Sequence, residues 1–426
     1  MKSVLFRAMT AIVIAVAVIC AAGTVLAQSI PSPAGETPDD QSTESVVAGN
    51  NRFACDLYRQ LASDPEFSGR NIFFSPYSIS SALAVTYEGA RGTTADEIRS
   101  VLHFPANATR MQEGFAAIDA DLNQESDNYT LRTANALWAE ETYPFLPAYV
   151  DTASRWYGAN VTNLDFKNDP DGSRRTINRW VEKQTEEKIR DLLQEGMISP
   201  LTRLVITNAI YFKGTWSDQF ERDETTDEEF RVAPGETVTV RMMQQTDGDA
   251  IYAYAETATL QAIELPYVHG NGTELSMLVL LPKGDNLTAL ETHLDAEWIA
   301  DIRDSLDRER VDLFLPKFRI ETTYSLRPTL AAMGMATAFS DDADLSGMDG
   351  TGSLLISEVI HKTFVNVTEE GTEAAAATAV IMMPGAAPEE HEPPVFRADH
   401  PFIFLIQDDA TGNILFMGRV TVPGAT

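Results

Sequence analysis

Cysteine is almost absent from this chain: its 426 residues include two, Cys20 and Cys55. Cys20 lies in an N-terminal apolar run, so removing that run leaves Cys55 without a partner and excludes an intramolecular disulfide. A chain of this length, 44% hydrophobic, can be stable on packing alone. Positive charge is scarce as well. The 32 Lys and Arg stand against 63 Asp and Glu, a net charge of -31, and no basic stripe offsets that field. Nucleic acid, anionic lipid and heparin-type polyanions are excluded as partners, because like charges repel. The signatures of common chemistry are also missing. No Gly-rich phosphate loop, His-Glu-x-x-His zinc motif or Gly-x-Ser-x-Gly nucleophile elbow occurs. His391-Glu392 is followed by two prolines, which cannot form the helix a zinc site needs. The other histidines (His103, His269, His293, His361 and His400) show no metal-ligand spacing, so neither metal nor cofactor is expected. A catalytic triad assembled from distant segments stays open, since triads form in space, but no motif asks for one.

What is present begins with Lys2 and Arg7, ahead of an apolar run over 8–27 that ends in Val25-Leu26-Ala27. This is the layout of a secretory signal peptide cleaved after Ala27, which places the mature protein outside the cell. A run of about 20 apolar residues could also just span a bilayer as an uncleaved anchor. Gly23 and Thr24 weaken its end, and the cleavage pattern favours the signal peptide. Residues 28–49, rich in Pro, Ser, Asp and Glu, read as a flexible linker. Residues 50–426 read as one folded domain without internal linker or repeat.

Periodicity sets the fold class. Phe53, Leu57 and Leu61 predict a first helix over 52–62, and 71–74 a short strand stopped by Ser75-Pro76. A second helix runs through Ile79, Leu83 and Val85 to Gly89, and Thr93-Thr94 caps a third. The strongest helical period covers 174–193, with Ile177, Trp180, Val181, Ile189 and Leu192 on one face. Buried strands are predicted over 204–212, 263–267, 275–281, 311–320, 354–367, 402–406 and 414–422. Helices dominate the first half and strands the second, so the class is α+β.

One stretch breaks the local rules. Glu369-Glu370-Gly371-Thr372-Glu373 leads into Ala374-Ala375-Ala376-Ala377-Thr378-Ala379, then Val380 to Met383 and a Pro- and Glu-rich tail. An alanine run is a strong helix former, yet this one follows a β-branched strand. It reads either as a short buried helix with a surface loop, or as a segment with two states, loop and strand. Small side chains would let such a strand enter a packed sheet without overfilling it.

At this point the chain closely resembles the serpin family, in the form of a secreted prokaryotic-type member. The resemblance covers nearly all of 50–423. It is carried by NIFFSPYSIS from Asn71, TNAIYFKGTW from Thr207, LPKF from Leu315, HKTFVNVTEEGTEA from His361 and HPFIF from His400. The resemblance implies the serpin fold: three β-sheets, eight or nine helices and an exposed reactive-centre loop. It also implies a suicide substrate for serine-type endopeptidases and no enzyme. The protease cleaves the loop, is held as an acyl-enzyme in a covalent complex, and is distorted as the hinge inserts into the central sheet. Gly371, Thr372, Glu373, Ala374, Ala375, Ala376 and Ala377 match the hinge. Alternate residues Thr372, Ala374, Ala376 and Thr378 would face into the sheet, and none is large or charged.

Counting from the hinge places the reactive bond at Gly385-Ala386, while counting back from Pro401 lands near Glu390. Small residues at the cut point to an elastase-like or subtilisin-like target. Met382 or Met383 would suit a chymotrypsin-like one. No Arg or Lys for a trypsin-like enzyme lies between Lys362 and Arg397. Ser75, Ser78, Asn208 and His361 match the family's shutter, and Trp216, Lys317 and Glu369 its breach, where insertion begins. Sequons at Asn107, Asn128, Asn160, Asn271 and Asn286 permit glycosylation, while that at Asn366 falls in a predicted buried strand and is not expected to be used. A monomer is expected. The alternative is a non-inhibitory serpin, a binding or chaperone-like protein cleaved as a plain substrate.

Overall fold

The computed structural model describes residues 40–123, 129–246, 251–269, 273–284, 286–372 and 392–424, all within one unit. The helices are α1 (Asp40–Ser63), α2 (Pro76–Gly89), α3 (Gly92–Val101), α4 (Ala108–Leu122) and α5 (Pro147–Tyr157). They continue with α6 (Pro170–Gln184), α7 (Leu287–His293), α8 (Ala296–Asp304), α9 (Arg327–Ala332) and α10 (Ser346–Asp349). The strands begin with β1 (Ile72–Phe74), β2 (Tyr129–Glu140), β3 (Asn160–Leu164), β4 (Leu204–Thr215), β5 (Thr226–Ala233) and β6 (Glu236–Gln245). Next come β7 (Ile251–Glu256), β8 (Leu260–Pro266), β9 (Leu275–Pro282), β10 (Asp307–Arg310), β11 (Asp312–Pro316) and β12 (Phe318–Ser325). The last are β13 (Ile356–Thr368), β14 (Gly371–Thr372), β15 (Val395–Arg397), β16 (Phe402–Asp408) and β17 (Ile414–Val420).

They form three sheets, and the class is α+β. A seven-stranded sheet runs β1-β17-β16-β9-β8-β7-β10, a four-stranded one β15-β11-β6-β5, and a six-stranded one β12-β13-β14-β4-β2-β3. Helices number ten among the described residues against the eight or nine expected. The surplus comes from very short pieces such as the single turn of α10.

Local chemistry explains several boundaries. Ser75 ends β1 and caps α2, its hydroxyl accepting the Ser78 N–H while Pro76 occupies the first turn. The apolar run at 311–320 breaks at Lys317 into β11 and β12, which belong to different sheets. Alternate side chains of β4 enter two cores. Leu204, Ile206, Ile210 and Phe212 join the main core, whereas Val205 and Ala209 join a second one beneath α6. A strand buried on both faces reads as an unbroken apolar run, as 204–212 does.

Two expectations need correction. The helix predicted over 174–193 ends at Gln184. Glu186, Glu187 and Asp191 then adopt left-handed backbone, and Asn178 binds both the N–H and the carbonyl of Leu193. The chain folds back, and Ile189 and Leu192 reach the α6 core from the return segment. The linker read over 28–49 overlaps a helix, because α1 starts at Asp40 and so extends the folded part ten residues ahead of position 50. Few large side chains mark this turn of helix, but Ser42, Val46 and Val47 are buried. Gly114 of α4 lies so close that a Cβ there would stand 2.6 Å from the Ser42 carbonyl. The signal peptide expected over 1–27, and residues 28–39, lie outside the described residues. Among those described, no helix is long and apolar enough to cross a membrane.

Cys55 is buried in α1, and burial pushes its thiol up to about 12. Val46→Ala should cost about 1.5–2.5 kcal/mol in urea unfolding, the lost methyls plus a small cavity. Glu44→Ala, on the exposed side of the same helix, should stay within about 0.5 kcal/mol. Equal, negligible effects would show that 40–49 is linker after all.

Candidate functional site

The six-stranded sheet contains an unusual joint. β4 pairs antiparallel with β2, and β12 with β13, but β4 and β13 themselves run parallel. Their shared register includes Val359↔Ile206, His361↔Asn208, Thr363↔Ile210 and Phe364↔Tyr211. Beyond Phe364 the strands part. The chain leaves β13, turns through Glu369 and Glu370, and returns between them as β14. Thr372 then pairs antiparallel with Val367 on one side and with Gly214 on the other. Gly371 makes this turn with φ 147°, and a Cβ there would sit 2.1 Å from the Gly214 carbonyl. Only glycine fits both conditions. Of the hinge, then, Gly371 and Thr372 are in the sheet. Glu373, Ala374, Ala375, Ala376, Ala377 and the bond Gly385-Ala386 lie outside the described residues.

The structure brings Trp216, Lys317 and Glu369 together around this turn. Lys317 Nζ lies 2.8 Å from Glu369 Oε2, and Thr225 donates to Glu369 Oε1 at 2.9 Å. Burial pushes the Glu369 carboxyl up, but these bonds outweigh it and hold the group below the usual carboxylate range. Trp216 donates its indole N–H to the Thr368 carbonyl at 3.0 Å and its backbone N–H to that of Glu370. Its ring stacks on Tyr267, centroids 4.5 Å apart. The Tyr267 hydroxyl in turn meets that of Thr372 at 2.7 Å.

Lower in the joint, Ser75, Ser78, Asn208 and His361 form one buried network. The Ser75 N–H donates to His361 Nε2 at 3.1 Å, so Nε2 carries no proton. His361 Nδ1–H therefore donates to Asn208 Oδ1. The Asn208 amide donates to the Ser78 carbonyl at 3.0 Å, and also contacts the Ser78 hydroxyl and Asn135 Oδ1. Ser75 Oγ donates to the Leu415 carbonyl of β17 at 2.6 Å. The network thus ties α2, β4, β13 and β17. Burial pushes His361 down to about 3, which keeps the ring neutral.

Sequence reasoning missed Asn135, Thr225 and Tyr267. Asn135 had a signal, a polar residue inside the apolar alternation of β2. Thr225 and Tyr267 had none, because their partners come from distant segments.

A family model described as serpin (serine protease inhibitor) matches residues 48–423. The chain belongs to the serpin family. This serpin is 43% identical over 396 residues to an uncharacterised serpin-like protein of Thermococcus kodakarensis, covering 93% of this chain and 90% of that one. It is 41% identical over 389 residues to the leukocyte elastase inhibitor of Homo sapiens, covering 89% and 100%. Among solved structures, uncleaved ovalbumin is similar with a TM-score of 0.79 at 32% identity, covering 89% of this chain and all of that one. Family membership sets this serpin among protease inhibitors and not among catalysts.

The neutral His361 carries a pH dependence. Unfolded imidazole takes a proton near 6.5, while the folded ring resists to about 3, so stability is lost as pH falls through this window. The slope is at most about 1.4 kcal/mol per pH unit. Asp409 works in the opposite sense. Burial pushes its carboxyl up to about 7, so its contribution is lost as pH rises from about 4 towards 7. Comparison with His361→Asn separates the two. Between pH 6.5 and 5, the wild type should lose stability relative to the variant in urea titrations. Parallel curves would mean that His361 takes its proton in the fold as readily as in the unfolded chain.

Proposed function

We propose that this serpin is a single-use trap for a serine-type protease, and that its reactive loop inserts between β4 and β13 after cleavage. The observation that carries the reading is β14, two hinge residues already paired with both strands above a parallel joint. The protease serine would attack the carbonyl of Gly385, forming an ester. The Gly385-Ala386 peptide bond breaks, and Ala386 becomes a free amine. The freed hinge could then add strand to strand in the register that β14 has begun.

That register is informative. Thr372 faces Gly214 and Val367, so steps of two place Ala374 opposite Phe212 and Val365, and Ala376 opposite Ile210 and Thr363. Thr378 arrives between Asn208 and His361. Those residues now face each other across the parallel joint. The incoming strand would therefore exchange one parallel ladder for two antiparallel ones, which are slightly more stable per residue. Ala374, Ala376 and Thr378 are small enough to enter without overpacking. In this reading Ser75, Ser78, Asn208 and His361 are the shutter that yields, and Trp216, Lys317 and Glu369 hold the breach where insertion starts.

Small residues at Gly385-Ala386 support an elastase-like or subtilisin-like target, as does the likeness to a leukocyte elastase inhibitor. The protein would meet this target outside the cell, as a monomer, after signal-peptide cleavage behind Ala27.

The test mixes the mature protein with elastase-, subtilisin-, chymotrypsin- and trypsin-like proteases. A complex resistant to denaturing electrophoresis is expected with one of the first two and none with the last. The released fragment should begin at Ala386 by mass spectrometry. Ala376→Arg should raise the inhibitor consumed per protease about tenfold or more, since an unpaired charge would have to enter the sheet. Cleavage by every protease, with no complex and full residual activity, would leave the binding or chaperone-like reading.

A further inference from the structure

The Thr372 side chain is held by one bond, to a residue outside the six-stranded sheet. Thr372 is fully buried and Tyr267 nearly so, and among the described residues each hydroxyl is the other's hydrogen-bond partner, at 2.7 Å. Burial pushes the Tyr267 phenol well above its ordinary value, so it keeps its proton.

Tyr267 is held rigidly. Its ring stacks on Trp216 and meets Phe212 edge-on, centroids 5.0 Å apart. Its backbone bridges to Trp216, and the Val268 N–H donates to the Thr215 carbonyl at 2.7 Å. The ring lies directly on Gly214, where a Cβ would come within 2.7 Å of it. Gly214 is the residue that pairs with Thr372. The backbone rung and the hydroxyl bond therefore fix the same position from two sides.

We propose that the Tyr267 hydroxyl is a register pin: it holds Thr372 opposite Gly214 so that insertion starts from a preformed rung. This role rests on the trapping function proposed above and adds a positioning residue to it. Slippage by one residue would turn Glu373 inward, because side chains alternate faces along a strand. The pin opposes that register, since slippage would exchange the matched Thr372 hydroxyl for a carboxylate charge against the buried Trp216-Tyr267 stack. A preformed rung also removes the costly first step of strand addition, leaving insertion as propagation. Insertion competes with hydrolysis of the acyl-enzyme, so a slower start shows as inhibitor wasted.

The experiment measures inhibitor consumed per protease trapped, and thermal unfolding, for wild type and four variants. Tyr267→Phe keeps the stack on Trp216 and loses the hydroxyl. Thr372→Val keeps the shape of Thr372 and loses its hydroxyl. Each should raise the consumption in excess of one roughly threefold to tenfold, the effect one buried hydrogen bond supports. Thr372→Ser retains the hydroxyl and should stay within about twofold of wild type. The double variant should fall short of the product of the two singles, because both act through one bond. A purely structural role would lower the unfolding temperature of Tyr267→Phe and leave consumption unchanged, and that result overturns the pin while the trapping function stands. A wild type that traps no protease overturns both.

Discussion

The function proposed for this protein depends on one pairing that is weaker than its two flanking ladders, the parallel ladder between β4 and β13. Both strands are otherwise satisfied by antiparallel neighbours, β2 and β12. A strand added between them would exchange their one parallel ladder for two antiparallel ones. The turn at Glu369-Glu370 aims the chain back into this joint, and Gly371 lets it approach the Gly214 carbonyl. The hydrogen bonds that close the joint and the turn that points into it therefore lie side by side in the fold.

The polar network around His361 fits that requirement. An apolar plug at the same place would pack the joint more firmly and gain from burial. A network of Ser, Asn and a neutral His is stable only while every donor and acceptor is matched. A hydroxyl-bearing residue such as Thr378 can enter it by exchanging bonds, whereas a close-packed plug would have to be displaced by volume. This chain has no disulfide among its described residues to stiffen the sheet, since Cys55 is a lone buried thiol. Its cohesion is non-covalent throughout, which leaves the sheet free to widen.

The sequence was legible where a residue's role follows from its neighbours along the chain. β4 could be read from its apolar run and the start of α2 from Ser75-Pro76. The first turns of α1 were hidden because Ser42 and Gly114 pack by being small, which leaves no periodic hydrophobic mark. The end of α6 was hidden because the return segment keeps the helical spacing of Ile189 and Leu192 while serving the same core from another path. Tyr267 and Thr225 could not be found at all. Each acquires its role from a partner 105 or more positions away, Thr372 for Tyr267 and Glu369 for Thr225.

The placement of Tyr267 also explains a constraint that sequence alone leaves unmotivated, the glycine at 214. In the middle of a strand glycine weakens the ladder, since it lacks a side chain to pack. Here the missing side chain is the space Tyr267 occupies, with Phe212 closing it from the other side. The cost of a weak strand residue is offset by a stacked Trp216-Tyr267 pair whose hydroxyl reaches the hinge. The same glycine offers its carbonyl side to Gly371. Two glycines on adjacent rungs at the mouth of the joint let two backbones and an aromatic ring meet where ordinary residues would collide. An inserting strand needs that mouth to be narrow enough to guide it and free of side chains that would have to move.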